Sequence, residues 1–218
     1  MTAPLAIVFD FDGVIADSEL IANHALAESL TAIGLPTTFD DCLREYCGHN
    51  WRETERRIES RLGSALPTGF RDDHRRRARV RFAAELTPVP GVAAFLERTA
   101  GLPRAIASSS SIEWLAHALD HMGLAHHFGG HLYSADGLAR GKPHPDIYLA
   151  AAEGLVIAPE RCLAVEDSPV GARAAVAAGM RVIGLTAAGH IGDRNTHAAE
   201  LREAGVDRVV SAFAEIAL

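Results

Sequence analysis

Six short apolar runs punctuate the chain: LAIVF (5–9), RAIAS (104–108), HLYS (131–134), CLAV (162–165), RVIGL (181–185) and RVV (208–210). Their length and β-forming content suit buried strands, and most of the intervals between them carry apolar residues at helical spacing. Such alternation predicts an α/β fold, a Rossmann-like parallel sheet with helices on both faces. One interval breaks the rhythm. Between the first and second runs, about seventy residues show no strand pattern and read as helices, for example ELIANHALAESLTAI (19–33) and WRETERRIESRL (51–62). The expectation is an all-helical cap domain at 17–87, inserted into an α/β core made of 1–16 and 88–218. Asp17 and Ser18 suit the cap of its first helix, and Pro88 and Pro90 in TPVPG prevent a helix from running on past its exit.

Composition narrows the class. A chain of 218 residues with 48% hydrophobic content can bury a substantial core. A formal charge of -7 provides no basic field for nucleic acid, and no apolar run is long enough to span a membrane, so neither partner is expected. The start, MTAPLAIVFDFD, lacks a basic leader, and Cys42, Cys47 and Cys162 lack metal or disulfide spacing. Together these favour a cytoplasmic protein with reduced thiols, monomeric or weakly dimeric.

In open parallel sheets, ligands sit beyond the carboxyl ends of the strands. Asp10 and Asp12 follow the first run, Ser108, Ser109 and Ser110 the second, Lys142 the third after a loop, and Glu166 with Asp167 the fourth. Each has a local use too. Asp10 and Asp12 can form a turn with Gly13, Ser110 with Glu113 fits a capping box for a helix at 111–122, and Ser168-Pro169 fits a helix start. A purely structural role, however, does not require carboxylates at two strand ends together with the chain's only lysine; the remaining cations among its 21 are arginines.

That inventory suits phosphoryl transfer, in which an aspartate attacks phosphorus to form an aspartyl-phosphate. Repulsion is the obstacle, since two like charges near 4 Å cost about 4 kcal/mol at an effective dielectric of about 20. Mg²⁺ on carboxylate oxygens and an ammonium supply the counter-charge. Arginine presents a wide planar fork, whereas lysine is a compact charge with three rotatable donors that can touch Asp10 and a phosphate together. Gly141, Pro143 and Pro145 should keep the lysine loop extended and stiff.

Four ordered stretches, DFDGVIADSE (10–19), ASSSS (107–111), GKPHPDIY (141–148) and VEDSPVGARAAVAAGM (165–180), closely resemble the motifs of the haloacid dehalogenase superfamily. The resemblance spans essentially the whole chain and points to the β-phosphoglucomutase-like phosphatases with a helical cap. It implies Asp10 as nucleophile and Asp12 as the acid that protonates the leaving oxygen and then the base that activates water. Ser108 would bind the transferring phosphate with the amides of Phe11, Asp12 and Ser109, and Lys142 would neutralise charge. Asp167, supported by Glu166, would bind Mg²⁺ with the Asp10 carboxylate and the Asp12 carbonyl.

Asp12 separates this chain from haloalkanoate dehalogenases, because a halide needs no proton to leave. The β-phosphoglucomutases carry a histidine four residues after the Ser/Thr of the first motif; here that position is Ala22, and His24 falls two places late. Hydrolysis of a small phosphorylated metabolite, which the resemblance implies to be a sugar phosphate, is therefore expected over a sugar phosphomutase. Within the cap, CGHNWRE (47–53) resembles the family's specificity loop, which makes His49, Asn50 and Arg52 candidate substrate contacts. The arginine-rich run at 71–82 reads as a solvated helix face. A reading from another class is a metal-binding or regulatory pseudo-phosphatase: His117 and His121 share i,i+4 spacing, and His126, His127 and His131 follow. Apolar Trp114, Leu115, Leu119 and Met122 take the other side of that helix, which leaves His117 and His121 facing water.

Overall fold

The computed structural model describes residues 3–46 and 51–218. Strands β1 (Ala6–Phe9), β2 (Arg104–Ser108), β3 (Leu132–Ser134), β4 (Cys162–Glu166), β5 (Arg181–Leu185) and β6 (Arg208–Val210) form one sheet in the order β3-β2-β1-β4-β5-β6. All pairings are parallel, with Ile7 of β1 set against Arg104 on one side and Leu163 on the other. The chain winds outward from β1 to β3, then returns to β4 and winds the other way. The switch point between β1 and β4 is where such sheets open a crevice at their carboxyl ends.

Every residue of β1, β2 and β4 is buried, as strands covered on both faces require. On one face Ala6, Val8, Ala105 and Ala164 pack with α7 (Asp146–Gly154) and α8 (Pro169–Ala177), whose alanines allow close approach. On the other, Phe9 meets Phe95 and Phe128 edge-on, at centroid distances of 6.0 and 6.1 Å. Phe95 belongs to α5 (Val92–Arg98). The guanidinium of buried Arg104 donates to the carbonyls of Leu96 and Thr99 at 2.9 and 2.6 Å, so a charged residue in β2 satisfies the end of that helix.

The chain divides into two compact units, Met1–Asp17 with Thr87–Leu218, and Ser18–Leu86. Asp17 and Thr87 thus join the core rather than the inserted segment. The two crossing strands are tied there, Asp17 N–H donating to the Thr87 carbonyl at 3.0 Å and Val89 N–H to that of Ile15 at 2.9 Å. The inserted unit holds α1 (Glu19–Ala32), α2 (Phe39–Glu45), α3 (Trp51–Leu62) and α4 (Phe70–Glu85) around Leu26, Leu30, Cys42, Ile58 and Phe70. Thr38 and Asp41 form a reciprocal capping box on α2, while Ser18 stands at the N-cap of α1 without a side-chain cap bond. The arginines of α4 are largely exposed, and Arg76 pairs with Asp73 at 2.6 Å. No helix among the described residues is long and apolar enough to cross a membrane.

His74 of α4 stacks on Trp51 and Phe70, at 5.4 and 6.4 Å. Burial there lowers its pKa below 6.5. The unfolded chain therefore takes up the proton first, so this contribution to stability is intact above pH 6.5 and declines as pH falls. Urea midpoints measured at pH 7 and pH 5 should drop less in His74→Phe than in the parent protein.

Candidate active site

Asp10 continues β1 by one residue, its N–H donating to the Val165 carbonyl at 3.0 Å, and its side chain is nearly buried. The chain then turns sharply. The Phe11 carbonyl accepts from the N–H groups of Ile15 and Ala16 at 2.8 and 3.0 Å, while its ring is wholly buried. Gly13 has φ +77°, and a Cβ placed there would come within 1.9 Å of Asp167 Oδ2. The glycine serves the turn and also leaves room for the carboxylate arriving from β4.

Lys142 Nζ lies 2.7 Å from Asp10 Oδ1 and 2.6 Å from Glu166 Oε1, joining the ends of β1 and β4. Its loop is not extended as expected: His144 N–H donates to the Gly141 carbonyl at 3.0 Å, closing a turn around Lys142 and Pro143. The two carboxylates draw the ammonium inward, and the turn is the backbone path that lets it reach them. Glu166, with no exposed surface, also accepts from the Tyr148 hydroxyl at 2.8 Å and, through Oε2, from Ser168 N–H and Oγ, each at 3.0 Å. Ser168 meanwhile caps α8 by accepting from Gly171 N–H at 3.0 Å. A Cβ on Gly171 would fall 1.6 Å from Glu166 Oε1.

The end of β2 reaches the same edge. Ser110 Oγ donates to Asp12 Oδ2 at 2.8 Å, which explains why it does not cap the next helix. That helix, α6 (Ile112–His121), starts later and is capped by Ser111, which accepts from Trp114 N–H at 3.3 Å. Buried Ser108 accepts from Ser110 N–H at 3.0 Å and so shapes the turn carrying Ser110, while Ser109 is exposed.

Electrostatics ties these groups together. Burial, followed by repulsion from Glu166, pushes the Asp10 pKa up to about 7 despite the nearby ammonium. Burial opposes the charge on Lys142, but Asp10 and Glu166 outweigh it and hold its pKa above the ordinary lysine value. Asp10, Glu166 and Asp167 present carboxylate oxygens that all lie within 4.8 Å of one another. Three buried acids against one ammonium leave negative charge to be balanced. Hard oxygen donors at that spacing fit a Mg²⁺ ion.

Arg52 is exposed on α3 of the helical unit, and His49 and Asn50 lie outside the described residues. Sequence reading assigned no role to Tyr148, although a tyrosine at a buried helical position needs a partner for its hydroxyl. It also overlooked His190 and His197. His190 Nε2 lies 3.6 Å from Asp167 Oδ2, and His197 Nε2 bonds the Asp167 carbonyl. Burial, then the charge of His197, lowers the His190 pKa to about 4. The rule that located the other site residues, inspection of the positions after each strand, reaches His190 when extended past β5.

Residues 4–179 match the model of a hydrolase family, the haloacid dehalogenase-like hydrolases. The chain is 31% identical to the phosphorylated carbohydrates phosphatase of Thermotoga maritima, across 83% of this chain and 84% of that protein. It is 27% identical to the 6-phosphogluconate phosphatase of Escherichia coli, across 85% and 84%. Among solved structures, a haloacid dehalogenase family hydrolase from Deinococcus radiodurans with bound phosphate and sodium superposes with a TM-score of 0.82, at 34% identity, over 98% of this chain and 94% of that one.

Lys142→Arg, although it keeps the charge, should lower kcat on p-nitrophenyl phosphate by about 100-fold or more, because the wider guanidinium cannot make both short contacts in a buried space. Circular dichroism should show the fold intact, and a near-parental rate would refute the fit argument. Gly171→Ala displaces Glu166, and through it the ammonium, so its turnover should fall by about tenfold or more.

Proposed function

The chain belongs to the haloacid dehalogenase-like hydrolase family and is a phosphoric monoester hydrolase; from that premise we propose that it hydrolyses a small sugar phosphate through an aspartyl-phosphate on Asp10, with Mg²⁺ as cofactor. The observation that carries this reading is the Lys142 ammonium bridging Asp10 and Glu166 at the switch point of the sheet.

The Asp10 carboxylate attacks phosphorus, and the bond from phosphorus to the ester oxygen breaks. Asp12 gives its proton to that oxygen as the sugar leaves. Asp12, now a carboxylate oriented by Ser110, takes a proton from water, whose oxygen attacks phosphorus and releases inorganic phosphate from Asp10. Lys142 offsets the charge that gathers on Asp10 and the transferring group, and Glu166 with Tyr148 holds the ammonium in place. Ser108 and the amides of Phe11, Asp12 and Ser109 would bind the phosphate oxygens. Asp10, the Asp12 carbonyl and Asp167 would hold the Mg²⁺ ion beside Glu166, where bound Mg²⁺ supplies electrostatic stabilisation of phosphate oxygen charge.

A sugar substrate is supported by relatives named for phosphorylated carbohydrates and 6-phosphogluconate. Phosphomutase chemistry is less well supported, since Ala22 stands where the mutases carry their histidine in sequence, and the ring of His24, two residues on, is stacked on Phe39 at 4.0 Å. His49, Asn50 and Arg52 remain the proposed source of discrimination between sugars.

Asp10→Asn should abolish phosphate release from p-nitrophenyl phosphate while the protein stays folded, and normal turnover would reject the nucleophile. In the parent protein, removal of divalent ions should stop turnover and Mg²⁺ should restore it. A panel of sugar phosphates assayed for released phosphate, with phosphorus NMR of the products, should show free phosphate rather than phosphate retained on sugar.

A further inference from the structure

Of the histidines clustered along the sequence, His117 and His121 are exposed on α6 and do not join a group of metal-ligating side chains among the described residues. His126 and His127 do, together with Glu97, a residue far from them in sequence. One ligand atom from each of the three lies within 4.8 Å of the others. His127 Nε2 is 3.6 Å from Glu97 Oε1, and the two imidazole rings are 3.9 Å apart. Two ligands bound to one tetrahedral Zn²⁺ at its usual bond lengths stand roughly 3.3 Å apart, so the observed pair needs only a small adjustment.

The carriers are held in place by the core. Glu97 follows Phe95 and Leu96 on α5, and His127 precedes Phe128 in a short 3-10 turn, Ala125–His127. Phe95 and Phe128 both pack on the ring of Phe9, which fixes the two backbones relative to each other. The His127 side chain is 8% exposed, and burial lowers its pKa, which favours the neutral imidazole that a metal needs. Arg104 lies close enough to add to that effect, but its guanidinium is engaged by the Leu96 and Thr99 carbonyls. Arg104 begins β2, so the group sits toward the amino end of that strand, away from the carboxylates at the other edge of the sheet.

We propose that Glu97, His126 and His127 form a second metal site, selective for Zn²⁺ or a similar transition ion, which clips α5 to the turn leading into β3. Two imidazoles and one carboxylate suit such ions rather than Mg²⁺, and the fourth position is open to water.

The test is calorimetric titration of Zn²⁺ into the whole protein in the presence of saturating Mg²⁺. One equivalent should bind per chain, and it should persist in Asp167→Asn. His126→Ala and Glu97→Gln alter exposed side chains, so they should fold normally and retain phosphatase turnover in Mg²⁺. Each should weaken Zn²⁺ binding by about 100-fold, since even the loss of an outer partner of a ligand costs about 10- to 100-fold. Absence of binding overturns the proposal, as does binding unchanged in both variants. Binding that is lost in Asp167→Asn but kept in His126→Ala assigns the ion to the carboxylates and overturns it equally.

Discussion

The contact on which the site depends is the buried ammonium of Lys142 between Asp10 and Glu166. A parallel sheet with a switch point between β1 and β4 brings two acid-bearing strand ends side by side. Neighbouring buried carboxylates are unfavourable unless a cation reaches both. Lys142 meets that need with two contacts shorter than 3 Å, using a geometry that a guanidinium cannot match. The lone lysine in a chain otherwise supplied with arginine follows from that constraint.

The same contact explains residues with no obvious chemistry. Glu166 can serve the ammonium because its other acceptor positions are filled by Tyr148 and Ser168, and its carboxylate fits because position 171 has no side chain. Gly13 performs the equivalent service for Asp167. Both glycines lie where two segments distant in sequence converge. A side chain at Gly171 would collide directly with the Glu166 carboxylate, whereas one at Gly13 would both meet Asp167 and strain the left-handed backbone of the turn. Ser110 illustrates a related choice, since its hydroxyl orients Asp12 and leaves the capping of α6 to Ser111.

The balance of charge also links fold to catalysis. Burial sharpens every interaction at the sheet edge, raising Asp10 toward neutrality while Lys142 stays charged. In the proposed reaction a divalent ion and a phosphate would each offset the charge that the other leaves unbalanced there. On the opposite side of the molecule's logic, Phe9 plays an apolar part: one ring orders α5 and the turn before β3.

The order of strands and helices was legible from the chain because apolar periodicity is a local property, and six runs flanked by helical spacing leave few alternatives to a parallel sheet. Asp10, Asp12, Lys142, Glu166 and Asp167 were legible because strand ends are where such a sheet exposes side chains to ligand. Tyr148 as the partner of Glu166, His190 beside Asp167, the turn at Lys142 and the joining of Glu97 to His127 were decided only by the tertiary structure. Each depends on distances between segments that sequence spacing does not encode. Local pattern determines which elements form, but close packing determines which side chains meet, and for this protein the meeting of buried charges is the chemistry.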